Sequence, residues 1–97
     1  MENMNKNYYL QEKSTNDMFA YSETLTEFME NSKEYLLDHS IDCLQNNSDN
    51  EQQVLLWIEV IQNIRKLNIN SSLSDLYYLI ENNNLDHTIK IVKTFEI

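Results

Sequence analysis

Few side chains in this sequence have the chemistry of a nucleophile or a proton carrier. His39 and Cys43 stand four residues apart, so on a helix they share one face. By type they are a base and a thiol nucleophile, and they are also two of the ligand types that zinc takes. Zinc needs three or four such ligands, and the sequence offers one further histidine, His87, and no second cysteine. Nothing adjacent marks Cys43 as activated. Glu23 and Glu59 would form a carboxylate pair only if folding brought them together. The expectation is therefore no enzyme, no metal and no cofactor, with His39 and Cys43 packed at a core boundary.

The stronger pattern is charge. Glu23, Glu27, Glu30, Glu34 and Asp38 recur at steps of four, three, four and four. At about 100° per residue they fall within an arc of roughly 80° on a helix. Met18, Tyr21, Leu25, Phe28, Met29, Tyr35 and Leu36 fall on the opposite side. Like charges at this spacing cost a helix a few tenths of a kcal/mol per pair. The row must therefore be a solvated face or a surface for a basic partner. It carries about one charge per 5.4 Å turn, against one per roughly 3.4 Å along a DNA strand. That density suits steering and complementarity better than full imitation of nucleic acid. The exposed ring of each tyrosine doublet, Tyr8-Tyr9 and Tyr77-Tyr78, is a candidate anchor.

Several elements must position these residues. Ser14 with Asp17 reads as a helix N-cap box, which starts a helix near Asn16. One long helix over residues 16–45 is the expectation, although a second box, Asn31 with Glu34, offers a break. Leu37, Ile41 and Leu44 form a row of their own, turned toward the acidic side. Ser48 with Glu51 opens the clearest helix, about Asp49 to Leu67. Val54, Trp57, Ile58, Ile61 and Ile64 cover one arc of it, and Leu56, Val60 and Leu67 widen that arc to half the circumference. A helix this apolar belongs at the centre of a bundle. Ser72 with Asp75 caps a short helix, about Leu73 to Glu81, with Leu73, Leu76, Tyr77 and Ile80 inward.

The two ends are more ambiguous. Leu85, Ile89, Val92 and Phe95 fit a helix, whereas Ile89, Ile91, Phe95 and Ile97 alternate as in a strand. Helix is the expectation; if it is a strand, the Tyr8 region is its partner. Residues 1–13 read as a frayed terminus, with a short edge strand or a docked arm as the alternative.

Composition narrows the function. The chain has 97 residues and a formal net charge of −9, enough for one domain and repelled by nucleic acid and anionic membrane. From Ser14 to Ile64 there are ten acidic residues and one lysine, Lys33; from Arg65 onward acids and bases balance. Glycine and proline are both absent, which excludes glycine-rich phosphate loops, dinucleotide fingerprints and nucleophile elbows. Fourteen asparagines supply the punctuation instead. A single cysteine suits a reducing cytosol, and the start, Met1-Glu2-Asn3-Met4, has no signal-peptide character. Helices at 49–67, 73–81 and 86–95 would make a trihelical DNA-binding unit with Lys90 and Lys93 on the reading helix. The turn chemistry and the acidity of the chain speak against it.

In size, charge, asparagine usage and lack of catalytic motifs, the sequence resembles the small acidic proteins with which phages and mobile elements block host defences, the anti-CRISPR type in particular. That resemblance implies stoichiometric binding to a nucleic-acid-handling effector. Asp75, Tyr77 and Tyr78 are loosely similar to the acidic, tyrosine-bearing face of toxin immunity proteins, which gives an alternative; an antitoxin or transcriptional regulator is another. The resulting expectation is an all-α single domain, a bundle of four to five helices with room for a short strand at either terminus. It would work in the cytoplasm of a host bacterial cell as a non-enzymatic inhibitor of a basic protein partner. Glu23, Glu27, Glu30, Glu34, Asp38, Tyr77 and Tyr78 would form the binding surface, with no direct contact to nucleic acid or membrane. Homodimerisation through the apolar seam is open to so short a chain.

Overall fold

A computed structural model describes residues 7–68 and 70–94. Within them the chain is α+β: three α-helices and a three-stranded antiparallel sheet. The all-α expectation is overturned by that sheet, and the reason lies in both ends of the chain.

Strand β1, Tyr8–Glu12, and strand β2, Met18–Ser22, form a hairpin. The Ser14–Asp17 run read as a helix cap is its turn. Ser14 and Thr15 hydroxyls both donate to Glu12 Oε1 at 3.1 Å, and Asn16 takes the left-handed conformation at φ 64°. Ser, Thr, Asn and Asp bond nearby backbone in turns and caps alike, so such a run fits either structure. The expected helix start near Asn16 falls inside this hairpin. A register shift between Tyr8 and Leu10 marks a bulge opposite them in β2, where Ala20 sits at φ 57°.

Strand β3, Ile89–Lys93, pairs with the other side of β1 in unbroken register, from Tyr8 opposite Lys93 to Glu12 opposite Ile89. The strand pattern and its Tyr8 partner are therefore the correct reading of this segment, and the helix is not. Phe95 and Ile97, invoked in the two patterns, lie outside the described residues. The order β2-β1-β3 makes this segment the central strand, neither a frayed terminus nor an edge strand. Leu10 at its middle is 0% exposed.

Helix α1, Leu25–Asn46, crosses the sheet. Thr24 caps it: its Oγ1 accepts from Glu27 N at 3.2 Å and donates to Glu27 Oε1 at 3.3 Å. Phe28 stacks on Tyr8, and Tyr35 stacks on Phe19 with ring centroids 4.5 Å apart. The helix runs straight through Asn31–Glu34. Ser32 is buried there, and Asn31 Nδ2 reaches back to Ser22 Oγ at 2.8 Å. Packing at this point outweighs the local capping signal.

Helix α2, Glu51–Arg65, returns along α1 as a helical hairpin. Its cap is Asn50, whose side chain accepts from Gln53 N at 3.2 Å, and not Ser48. Only Val60, Ile61 and Ile64, all in its second half, are buried. Helix α3, Leu73–Asn82, has the capping box expected of Ser72 and Asp75, and buries Leu76, Leu79 and Ile80. A 3-10 turn at Leu85–His87, entered through Asn84 at φ 59°, leads into β3. The core gathers Leu10, Phe28, Leu36, Ile64, Leu76 and Ile89 between sheet and helices. The Cα envelope measures 56 × 30 × 18 Å, so the molecule is long and thin. Among the described residues no helix is long and apolar enough to cross a membrane.

Candidate protein-binding face

Four of the five row carboxylates, Glu27, Glu30, Glu34 and Asp38, are exposed on α1. Because α1 does not break, they form one face from the first turn to the fourth. The span is about 16 Å at 1.5 Å per residue. Glu23 is exposed as well, but it sits in the link before Thr24 and extends the row only as a neighbour in sequence. Glu27 exchanges hydrogen bonds with Thr24. Glu30, Glu34 and Asp38 have no hydrogen-bond or ion-pair partner among the described residues.

Lys33, the one cation in this stretch, is occupied elsewhere. Its Nζ donates to Leu67 O at 2.7 Å and to Arg65 O at 3.5 Å. Arg65 O is the last carbonyl of α2 and Leu67 O lies just past its C-cap, Lys66, where a cation is favoured by both hydrogen bonding and the helix dipole. From Glu34 to Ile64 the chain then has six carboxylates and no lysine or arginine.

Beside the row, α1 and the connection from α2 to α3 enclose a groove of ≈ 480 Å³. Leu25, Met29, Leu37 and Leu67 give it an apolar lining, and Glu30 and Glu34 also line it. Neither tyrosine of the 77–78 doublet lines this groove. Tyr77 is 41% and Tyr78 70% exposed on α3. Leu79, not Tyr77, turns inward from that helix. Asp75 is held in the cap, its Oδ2 accepting from Ser72 N at 2.8 Å.

The residues with catalytic chemistry are placed as a packed joint. Cys43 Sγ lies 3.7 Å from His39 Nε2. Burial, followed by the charge of Asp42, pushes the Cys43 thiol above its ordinary pKa, so the thiolate is disfavoured. His39 stacks on Tyr35 and meets Trp57 edge-on, continuing a run of rings from Phe19. Tyr35 also ionises with more difficulty than usual, first through burial and then through Glu12, Asp17 and Cys43. Glu23 lies in the link before α1 and Glu59 on α2, and the two share no hydrogen bond. Among the described residues no group of three or more His, Cys, Asp or Glu side chains is placed to hold a metal ion.

One surface was not anticipated. The first half of α2 leaves Leu55, Leu56 and Ile58 exposed, Leu55 at 63%. The apolar arc expected from spacing includes Leu56 and Ile58 among its buried positions and does not include Leu55. At 100° per residue Leu55 lies about 180° from Ile64, opposite the core. The signal was present in the half-circumference of apolar residues. A helix with one packed side cannot bury that much, and α2 is peripheral, not central.

No family model, curated protein or solved structure matches the chain. The fold class, α+β, is read from the three helices and the three-stranded sheet alone.

Proposed function

We propose that the protein is a non-enzymatic inhibitor, used by a phage or mobile element against a basic, nucleic-acid-handling effector in the cytoplasm of a host bacterial cell. The acidic face of α1 is the complementary surface. One observation carries this reading: Glu27, Glu30, Glu34 and Asp38 lie exposed along one face of α1, and Lys33, the one lysine or arginine on that helix, is tied to the Arg65 and Leu67 carbonyls. Charge of this kind chiefly accelerates association and selects the partner. Tyr77 and Tyr78, exposed on α3, are secondary anchors in the same reading.

Replacing Glu27, Glu30 and Glu34 together by lysine tests it. These positions are exposed, so the circular dichroism spectrum should be retained. Association with the effector should slow by about tenfold or more at low ionic strength and lose most of its salt dependence. Binding that survives unaltered would sink the acidic-face mechanism. The exposed tyrosine pair favours a second reading, an immunity protein that neutralises a bacterial toxin. Restored phage infection of a defended host supports the first reading, and protection from a co-expressed toxin the second. The trihelical arrangement with Lys90 and Lys93 on a reading helix is not formed, because that segment is strand β3.

A further inference from the structure

The groove beside the acidic row has a chemistry that narrows what the partner presents, provided that the acidic-face reading holds. Its volume, ≈ 480 Å³, falls within the roughly 300–1,000 Å³ of concave sites that take ligands. Leu25, Met29, Leu37 and Leu67 would gain nothing from a hydrated cation, and Leu25 is left 38% exposed. Apolar surface of this kind is satisfied only by apolar side chains. Glu30 and Glu34 line the same space, one helical turn apart. Lys33 also lines it, but its ammonium is tied to Leu67 O and leaves both carboxylates unpaired. An occupant must therefore bring apolar and cationic groups together. A second copy of the chain brings a net charge of −9 against −9, and nucleic acid brings more negative charge still.

We propose that this groove is the anchor site of the acidic face, and that it takes a cationic amphipathic helix of the partner. One or two aliphatic side chains of that helix fill the groove, while lysines or arginines a turn apart meet Glu30 and Glu34. The row supplies the encounter rate and the groove supplies residence, a division usual between rim charges and a buried anchor.

Synthetic peptides of about 18 residues, five helical turns, test the assignment against the full-length chain labelled for methyl NMR. A Leu/Lys amphipathic peptide should bind one-to-one, with shifts concentrated on Leu25, Met29, Leu37 and Leu67. A Ser/Lys peptide of equal charge should bind at least tenfold more weakly, and a Leu/Glu peptide should not bind. Leu25→Gln should weaken the Leu/Lys peptide about fivefold; Glu30→Gln with Glu34→Gln should weaken it about tenfold at low salt and less at high salt. Equal binding of the Ser/Lys peptide, with Leu25→Gln silent and the glutamine pair harmful, overturns the groove and leaves the acidic face standing. Tight Leu/Lys binding indifferent to both carboxylates overturns the acidic face itself. Shifts centred on Leu55 and Ile58 place the peptide on α2 and overturn the groove assignment.

Discussion

Ala20 is the residue whose backbone conformation is least natural to it. It lies in the bulge of β2 at φ 57°, where an L-residue with a Cβ costs roughly 1–2 kcal/mol and glycine is nearly free. Asn16 and Asn84 occupy similar conformations at φ 64° and 59°, but asparagine tolerates them. The sequence has no glycine at all, so the strain falls on whichever side chain stands there. Ala20→Gly should raise stability by about 0.5–1 kcal/mol, less than the full relief because glycine also frees the unfolded chain. Urea unfolding monitored by circular dichroism measures this; an unchanged or lower midpoint would show that the methyl contributes packing worth more than the strain. At the same scale the sequence was partly readable. The box of Ser72 and Asp75 was recognised correctly, because both partners lie within one turn and no other contact competes. The equally good box at Ser14–Asp17 became a turn, because Met18–Ser22 follows it as strand and Phe19 finds Tyr35.

At the scale of elements, the two ends of the α1–α2 hairpin differ. Near the sheet, Phe28, Met29, Ser32 and Leu36 of α1 and Val60, Ile61 and Ile64 of α2 are buried. Toward the connecting turn, residues 41–59 contain no fully buried side chain. Trp57 is half-buried against His39, and Leu55 faces solvent. Ile64→Ala should therefore cost about 2–5 kcal/mol, while Leu55→Ser should cost about 0.5 kcal/mol or less. Amide exchange should follow the same gradient, with protection lower over residues 41–59 than over 28–36. Uniform protection along both helices would mean that the outer half of the hairpin opens only with the whole fold. The helices themselves were legible from apolar spacing, since period and length are local properties. Their rank was not, because whether an apolar helix is central depends on how many elements surround it. The segment expected as the last helix is strand β3, and the expected start of the first helix is strand β2.

For the whole molecule, the decisive fact is that the sheet joins the two ends of the chain. β1 and β3 pair residue by residue from Tyr8–Lys93 to Glu12–Ile89, across about eighty residues of intervening sequence. The alternation of Ile89 and Ile91 offers the strand and its Tyr8 partner only as a second reading, because the spacing of Leu85, Ile89 and Val92 also fits a helix. Five-residue strands look like fragments of helix or loop until their partners are known, which is why a three-helix α+β fold read as a helical bundle. Glu27, Glu30, Glu34 and Asp38 share a face whatever the ends of the chain do, because that depends only on the continuity of α1, while Glu23 falls outside the helix. The position of β1 makes the consequence measurable. A frayed arm can be removed at no cost, but a central strand cannot: without Leu10 the core loses a fully buried side chain, and without β1 both β2 and β3 lose the strand they pair with. Domains of this size hold roughly 5–15 kcal/mol in total, and Leu10→Ala alone should take about 2–5 of it. Deleting residues 1–12 should therefore abolish cooperative melting, with Trp57 fluorescence and far-UV circular dichroism both losing their transition. Retention of a sharp transition near the wild-type temperature after that deletion would mean that α1, α2 and α3 form a self-sufficient core. The groove between α1 and the α2–α3 connection would then stand independently of the sheet.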